Sequence, residues 1–430
     1  MSRDRGPAGR IAAVSTHPAG LARGPTVAVA TALLYCVACL AMIAWGAQFA
    51  GASAWLLSGS AVVFLISVRF LARALWADLV FWPMGAVLLA YVASIACSGM
   101  APQATARSLS MPVFAVLFLA VQACRRADWA WKGLWVSIVF MVLVISIDVV
   151  VQRWTGDSLI RGKGLFRKRW MGSQGNANDL VCAAVLAPVA FTLFRPPRRC
   201  VKYGAWMLLL IPIWLVSESR QVLLAWFVAT VVPLACHVGK RRALVIVLAA
   251  TLIGSTAVLF APLLRYKLSL ALEEGIGVRE QLIALGIRFG LSHPVFGIGP
   301  GCFGEHFLVA LGEGWSWRGK SLPPAGTPWV HCLPVEIFCE YGLFGVAAFG
   351  LVLRDGVRRL SVGVRRPEPE RAPWISLLAC SFAVACVSCI DLSLVKDWVR
   401  IEFWLILGLF YALGWEAGRI ESRRKFTSRI

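Results

Sequence analysis

His331 stands beside two carboxylates at the start of a long apolar run of the chain. Glu336 and Glu340 follow it one helical turn apart, so a helix places both side chains on one face. Carboxylates within an apolar helix are costly and are usually either paired or functional. The imidazole of a histidine titrates near neutral pH and can take a proton from a hydroxyl group. The three residues therefore form a candidate catalytic site, with a structural role at the helix start as the alternative for His331.

Four arginines between the apolar runs are candidates for binding an anion. A guanidinium group holds diphosphate oxygens through a fixed fork of donors and needs no metal ion. Several arginines around one histidine therefore suit a pyrophosphate leaving group and a base that activates a hydroxyl group. No Asp-x-Asp pair accompanies them, so we predict neither a metal ion nor a cofactor. The four are Arg220, Arg265, Arg279 and Arg288.

Each of the first two arginines has an alternative role at the membrane surface. Arg220 lies between two apolar runs with almost no loop, where a guanidinium can simply snorkel to the interface. Arg265 directly follows an apolar run and can serve as a plain interfacial anchor. Both roles stay open at the level of sequence.

Polar residues also flank the basic stretch that follows the fifth apolar run. Gln152 ends that run, and Asn178 belongs to a Gly-Asn-Ala-Asn-Asp sequence that opens the next one. Asn and Asp at such a place cap a helix, and the free amides of a helix N-terminus also favour an anion. We expect Gln152 and Asn178 to support the site, with helix capping as the alternative for the second.

Two glycine-containing sequences lie on either side of His331. His293 to Gly301 reads His-Pro-Val-Phe-Gly-Ile-Gly-Pro-Gly, which allows close approach of the backbone to a ligand or to a neighbouring helix. It lacks the Lys-Ser/Thr ending of a nucleotide-binding P-loop. Glu340 to Gly345 reads Glu-Tyr-Gly-Leu-Phe-Gly, whose glycines narrow one face of a helix for packing.

Composition places these residues in a membrane protein. Hydrophobic residues make up 59% of the 430 residues and charged residues 15%, which excludes a soluble globular chain of this size. The predicted fold is an all-α integral membrane protein with about twelve transmembrane helices. The net charge of +21 comes from clusters between the apolar runs, which predicts contact with membrane lipids and not with nucleic acid. The apolar runs cover residues 26–48, 54–72, 77–98, 108–124, 130–151, 177–194, 203–218, 221–237, 243–264, 331–353, 373–392 and 401–419.

The distribution of Lys and Arg predicts the topology. The even-numbered connections are basic, so both termini are expected in the cytoplasm by the positive-inside rule. Three connections on the other side are basic as well and break the rule, and they carry the candidate arginines. The longest should contain one or two short helices, one of them near residues 277–291 with Arg279 and Arg288 on its polar side. The predicted regions are a tail (1–25), helices 1–9 (26–264), an outer catalytic segment (265–330), helices 10–12 (331–419) and a second tail (420–430).

Residues from about 145 to 350 resemble the superfamily of O-antigen ligases and polymerases. The resemblance lies in Asp148 with Gln152, Gly175 to Asn178, Ser219-Arg220, Arg279, the His293 to Gly301 sequence, and His331 with Glu340 to Gly345. It implies transfer of a glycan from undecaprenyl pyrophosphate on the periplasmic side of the bacterial inner membrane, without metal ion or nucleotide. For a ligase, the acceptor is a sugar of the lipid A-core oligosaccharide, and the anomeric centre is inverted.

The same resemblance implies roles for individual residues. His331 activates the acceptor hydroxyl, while Arg220, Arg265, Arg279 and Arg288 hold the pyrophosphate. Cys332 stands where the family more often has Asn after the histidine. Pairing of Cys332 with Cys302 stays open.

Two alternative functions remain. A polymerase would use the same carrier. The Arg-x10-Gly pattern associated with polymerases occurs in this chain, but chance matches are expected from its content of Arg and Gly. One large outer segment beside a single histidine favours a ligase. A transporter or flippase for polyprenyl-linked glycans would require polar residues within the membrane in both halves of the chain and internal repeats. The first four apolar runs contain almost none.

Overall fold

The structure is a computed structural model in which mostly helical segments pack together. It describes residues 80–99, 101–124, 128–159, 177–193, 199–210, 219–238, 278–322, 329–368, 370–389, 393–394 and 396–427, with a few single positions from 242 to 269. The first two predicted transmembrane helices and almost all of the ninth lie outside these residues.

Thirteen α-helices, numbered in chain order, account for most of the described residues. Helices α1 to α6 are Trp82–Cys97, Ala101–Ser108, Ser110–Cys124, Asp128–Thr155, Val181–Leu186 and Ala190–Leu193. Helices α7 to α10 are Arg199–Leu209, Arg220–Val238, Val278–Ser292 and Phe303–Gly312. Helices α11 to α13 are Leu333–Gly363, Arg371–Ser388 and Asp397–Thr427. Two 3-10 turns flank α5, at Ala177–Leu180 and Ala187–Val189.

Several of these helices are suited to a lipid environment. Within the described residues, three segments are long and apolar enough to cross a membrane: Trp131–Thr155, Leu333–Gly363 and Arg371–Ser388. Shorter apolar helices accompany them at Trp82–Cys97, Ser110–Leu119, Val181–Leu193 and Gln221–His237. The prediction of a mostly helical chain with membrane-compatible apolar helices is confirmed, and the number of about twelve spans stays a prediction.

Two details differ from the prediction. The sixth apolar run, residues 177–194, was expected as one helix but is divided by a 3-10 turn that contains Pro188. Proline has no backbone N–H to donate and its ring clashes with the preceding turn, so it interrupts the helix. The second detail is the connection 99–107 between two apolar runs, for which no helix was predicted and most of which forms α2.

The long connection before α11 is folded in its described part. The helix expected near residues 277–291 is confirmed as α9, and α10 follows it. A small antiparallel hairpin of β1 (Ser316–Trp317) and β2 (Lys320–Ser321) was not predicted. Arg318 and Gly319 form its turn with φ angles of 50° and 74°, which the right-handed twist of a two-residue hairpin favours.

Helices α11 and α13 form the centre of the described bundle and run parallel. Phe349 of α11 contacts Phe403 of α13 at a ring-centroid distance of 5.5 Å. Ten residues further along α11, the Arg359 guanidinium lies 4.3 Å from the ring centroid of Tyr411. Helices α1 and α9 pack against α11, and α3 packs along α13. The N-terminal ends of both helices therefore lie on the same side of the bundle, and α9 packs beside the N-terminal part of α11.

Candidate functional site

Helix α11 is broken at Gly342, and the first glycine-containing sequence fills the break. Gly342 has φ 63° and ψ −164°, so the helical hydrogen-bonding pattern stops there. Four backbone hydrogen bonds replace it. Leu343 and Phe344 donate to the carbonyls of Pro294 and Val295 at 2.8 and 3.0 Å, and Ile298 and Gly299 donate to those of Cys339 and Glu340 at 3.0 and 3.1 Å.

Glycine is required on both sides of this junction. A Cβ atom on Gly342 would overlap the backbone of Val295, and one on Gly297 would overlap the backbone of Glu340. Both residues also have φ angles that favour glycine, 63° and 71°. The sequence allowed close approach of this backbone either to a ligand or to a neighbouring helix. In the structure it approaches a helix, α11.

The two carboxylates of α11 are buried and join it to other elements. Glu336 and Glu340 are each 1% exposed. The Oε1 atom of Glu336 accepts a hydrogen bond of 2.7 Å from the backbone N–H of Leu394, just before α13. The Glu340 carboxyl group lies against the backbone N–H groups of Gly301 and Phe303, where α10 begins. Both acids thus fix the ends of neighbouring helices on α11.

Two cations from the start of α13 neutralise this buried acidic region. Lys396 forms an ion pair of 2.8 Å with Asp179, and each side chain is only 9% exposed. Arg400 is 3% exposed, contacts the Ser110 hydroxyl and lies within electrostatic range of Glu336 and Glu340. Asp179, whose type also suits helix capping, thus joins the 3-10 turn before α5 to the start of α13 through a long-range ion pair.

His331 lies at the entrance to α11, next to this charged cluster. It is 8% exposed, and its φ of 60° is unusual for a residue other than glycine. The indole Nε1 of Trp329 donates a hydrogen bond of 3.0 Å to His331 Nδ1. The Lys396 ammonium group lies 5.3 Å from the centroid of the Trp329 ring. His331 is thus connected through Trp329 to the ion pair of Lys396 and Asp179.

The two arginines of α9 lie on opposite faces of that helix. A Cβ on Gly286 would contact Val330 and Val335, so this face of α9 packs on the entrance to α11. Arg279 precedes Gly286 by two helical turns and shares its face, and it is partly buried. Arg288 is exposed and lies two and a half turns after Arg279. The expectation of one polar side that carries both arginines is wrong, because their spacing rotates them by about 180°.

For some of the other predicted site residues, the structure describes the backbone but not the side chain. Gln152 is fully buried in α4, and Arg220 begins α8, although the position of its side chain is not described. Asn178 lies in the 3-10 turn before α5, and its side-chain position is likewise not described. Arg265 lies outside the described residues. Asp148 of the same motif accepts hydrogen bonds from the Ser158 hydroxyl and the Leu159 N–H, each at 2.7 Å.

The cysteines and the other histidines complete the surroundings. Cys302 and Cys332 are both buried and are not joined to each other by a disulfide bond. His306 of α10 has its pKa lowered from the usual value by burial and by nearby His293, with Glu305 acting in the opposite direction. Among the residues that the structure describes, no group of three or more His, Cys, Asp or Glu side chains is arranged to hold a metal ion.

Sequence reasoning missed Lys396, Arg400 and Trp329. The first two are basic residues in a connection on the same predicted side as the three that break the positive-inside rule. The same charge argument, applied to the connection before the last apolar run, would have identified them. Trp329 has no comparable feature, because only the fold brings its indole N–H to the imidazole ring.

Comparison with known proteins does not assign a family. No protein-family model matches the chain, and no curated protein matches it. The family resemblance therefore rests on the residues of the motifs quoted above.

Proposed function

We propose that the chain is a glycosyltransferase of the O-antigen ligase type. In this proposal it transfers a glycan from undecaprenyl pyrophosphate to a sugar of the lipid A-core oligosaccharide, with inversion and without a metal ion. The acceptor oxygen forms a bond to the anomeric carbon, the bond from that carbon to the pyrophosphate breaks, and the hydroxyl proton passes to a base, the role that the resemblance implies for His331. Undecaprenyl pyrophosphate is the second product.

One observation supports the proposal above the others. The two glycine-containing sequences that carry the family resemblance are in direct backbone contact across the break in α11. Between them in sequence lies His331, which the same helix holds at its entrance. Motifs that share only a chance resemblance would have no reason to form one structural unit. This contact favours the family interpretation but leaves the reaction to be tested.

Arg279 is the arginine whose position best suits pyrophosphate binding. It lies on the face of α9 that packs against the segment leading into α11. Arg220 and Arg265 remain in the proposed site on the strength of the resemblance alone, and the exposed Arg288 is the weakest member.

The proposed location follows from the apolar helices and the charge distribution. We place the chain in the bacterial inner membrane, with about twelve spans, both termini in the cytoplasm and the site in the periplasm. Labelling of single cysteines introduced near residue 318, in the hairpin, and near residue 365, after α11, tests this orientation in intact cells. The hairpin position should react with a membrane-impermeant reagent and the other should not, and the reverse pattern would invert the topology.

Analysis of the products distinguishes the two enzyme classes. Purified protein is incubated with lipid-linked O-antigen and with lipopolysaccharide that lacks O-antigen. Extension of the lipopolysaccharide is the result expected of a ligase. If only the lipid-linked glycan lengthens, the protein is a polymerase, which is the second candidate because it would use the same carrier and residues.

A further inference from the structure

The contact between Trp329 and His331 determines which imidazole nitrogen carries the proton. The Trp329 Nε1 atom lies 3.0 Å from His331 Nδ1. An indole nitrogen can only donate a hydrogen bond, so Nδ1 must be the acceptor and must be unprotonated. In the neutral ring the proton is then on Nε2.

We propose that Trp329 is a positioning residue that holds His331 with its proton on Nε2, so that the ring offers an N–H donor to a bound diphosphate. The identity of this anion rests on the proposed function. A proton on Nδ1 would bring two N–H groups together, so the contact opposes the other neutral tautomer. Direct transfer of the acceptor proton to Nε2 is also excluded while the contact persists. The role of His331 in this state is therefore to stabilise the leaving group, in place of the base role expected from the resemblance, and the proton of the acceptor hydroxyl passes to an oxygen of the departing pyrophosphate.

The surroundings hold Trp329 firmly in this position. The Lys396 ammonium group lies 5.3 Å from the ring centroid, a distance at which a cation is attracted to the face of an indole. Lys396 is in turn fixed by its 2.8 Å ion pair with Asp179, and both side chains are almost fully buried.

The backbone adds a further constraint. His331 has a left-handed φ of 60°, a conformation that costs energy for a residue with a Cβ atom. Val330 on one side is fully buried against α9, and Cys332 on the other forms the N-terminal cap position of α11. The backbone is thus fixed on both sides of His331, by packing of Val330 and by the start of α11 at Cys332.

Trp398 provides a matched control for the inference. Its ring centroid lies 5.9 Å from the same Lys396 ammonium group, and the residue is 1% exposed. Its Nε1 atom has no hydrogen-bond partner in the part of the chain that the structure describes. Trp398→Phe therefore removes an indole N–H beside Lys396 without removing a donor to the imidazole, whereas Trp329→Phe removes that donor.

Nitrogen NMR of the full chain with 15N-labelled histidine tests the tautomer directly. The chain contains five histidines, and the signal lost in His331→Gln assigns the residue. At a pH where the ring is neutral, we expect His331 to carry its proton on Nε2. Trp329→Phe should shift the population towards the other tautomer, and Trp398→Phe should not. A proton on Nδ1 in the unmodified protein, or an unchanged spectrum in Trp329→Phe, would overturn the inference.

The transfer assay separates this inference from the proposed function. If His331 acts as an N–H donor, Trp329→Phe should lower the rate of glycan transfer about tenfold, with Trp398→Phe close to the unmodified protein. A higher rate in Trp329→Phe would show that the freed nitrogen is needed as a base and would overturn the donor role. If the tautomer is as expected but no lipid-linked glycan is transferred, the proposed function fails and the assignment of the proton stands.

Discussion

The two ends of the parallel pair α11 and α13 use charged residues in different ways. At the N-terminal ends, Glu336, Glu340, Lys396 and Arg400 are almost completely buried, and the partner of Lys396 is Asp179, 217 residues away in sequence. At the C-terminal ends, the ion pair of Arg359 and Asp355 joins neighbouring turns of one helix at 2.8 Å, and both side chains are about one quarter exposed.

This difference indicates at which end the free-energy cost of burying charged groups is retained for a purpose other than stability. An ion pair within one helix and near solvent contributes little and costs little. The attraction within a buried ion pair must offset the lost hydration of both charges. Apolar residues of similar size at the same positions often stabilise a protein just as much as the pair does. Buried charges at the entrance to α11, beside His331, therefore favour a functional role for that end.

The largest expected effect comes from removal of the buried cation at the N-terminal end. Lys396→Met leaves Asp179 buried without its partner, so the free energy of unfolding should fall by about 3–5 kcal/mol. Thermal unfolding of the purified protein, followed by tryptophan fluorescence, measures the loss. Arg359→Met is the control at the other end, with an expected loss of about 1 kcal/mol from its ion pair and its contact with Tyr411.

The double variant sharpens the same comparison. Asp179→Asn together with Lys396→Met removes both charges, so it should recover a large part of the stability that Lys396→Met loses. If the two losses simply add, the ion pair does not hold the two segments together and the contrast between the ends disappears.

The next effect tests the break in α11. Gly342→Ala should destabilise the protein by about 1–3 kcal/mol, since alanine is strained at this φ angle and its Cβ would overlap Val295. Gly350→Ala in the other half of the helix is the control, because a Cβ there meets nothing within 4 Å. This control should be stabilised by about 0.5–1 kcal/mol, as expected for alanine in a helix interior. Equal effects at the two positions would argue against a required break.

The two arginines of α9 allow a comparison of activity. Arg279→Gln should reduce the rate of glycan transfer about tenfold or more, equivalent to a loss of about 1.4 kcal/mol of transition-state stabilisation. Arg288→Gln should have a smaller effect, since its side chain is exposed on the opposite face. Initial rates at saturating donor, with matched protein concentrations, decide this. A larger loss in Arg288→Gln would place the pyrophosphate on the other side of α9.

The smallest expected effect is a dependence of stability on pH. The pKa of His306 is lowered in the folded chain by burial and by His293. A folded pKa below the unfolded value means that the unfolded chain takes up protons first, so stability falls as the pH falls through the unfolded pKa of about 6.5. The unfolding temperature should decrease more between pH 7 and pH 5 in the unmodified protein than in His306→Gln. An identical decrease would assign the effect to other groups.

The sequence predicted those parts of the molecule that depend on local pattern. Apolar runs identified most of the described helices, and the glycines that later proved to face each other marked both sides of the break in α11. The break itself was not predicted, because the sequence around Gly342 is apolar and continues the helical pattern. The contacts of His331 were also inaccessible, since Trp329, Lys396 and Asp179 come from three separate segments that only the fold brings together.

The central claim is that the chain releases a lipid pyrophosphate when it transfers a glycan, and that His331 is required. The most direct measurement is the release of undecaprenyl pyrophosphate from a lipid-linked glycan by the purified protein in the presence of lipopolysaccharide. Release should occur with the unmodified protein and with the control variant His237→Gln. His237 belongs to α8, where its Nδ1 atom lies 3.7 Å from a carboxylate oxygen of Glu368. It should be abolished in His331→Gln while that variant remains folded. Movement of the glycan across liposomes without any release, or normal release by His331→Gln, would contradict the account.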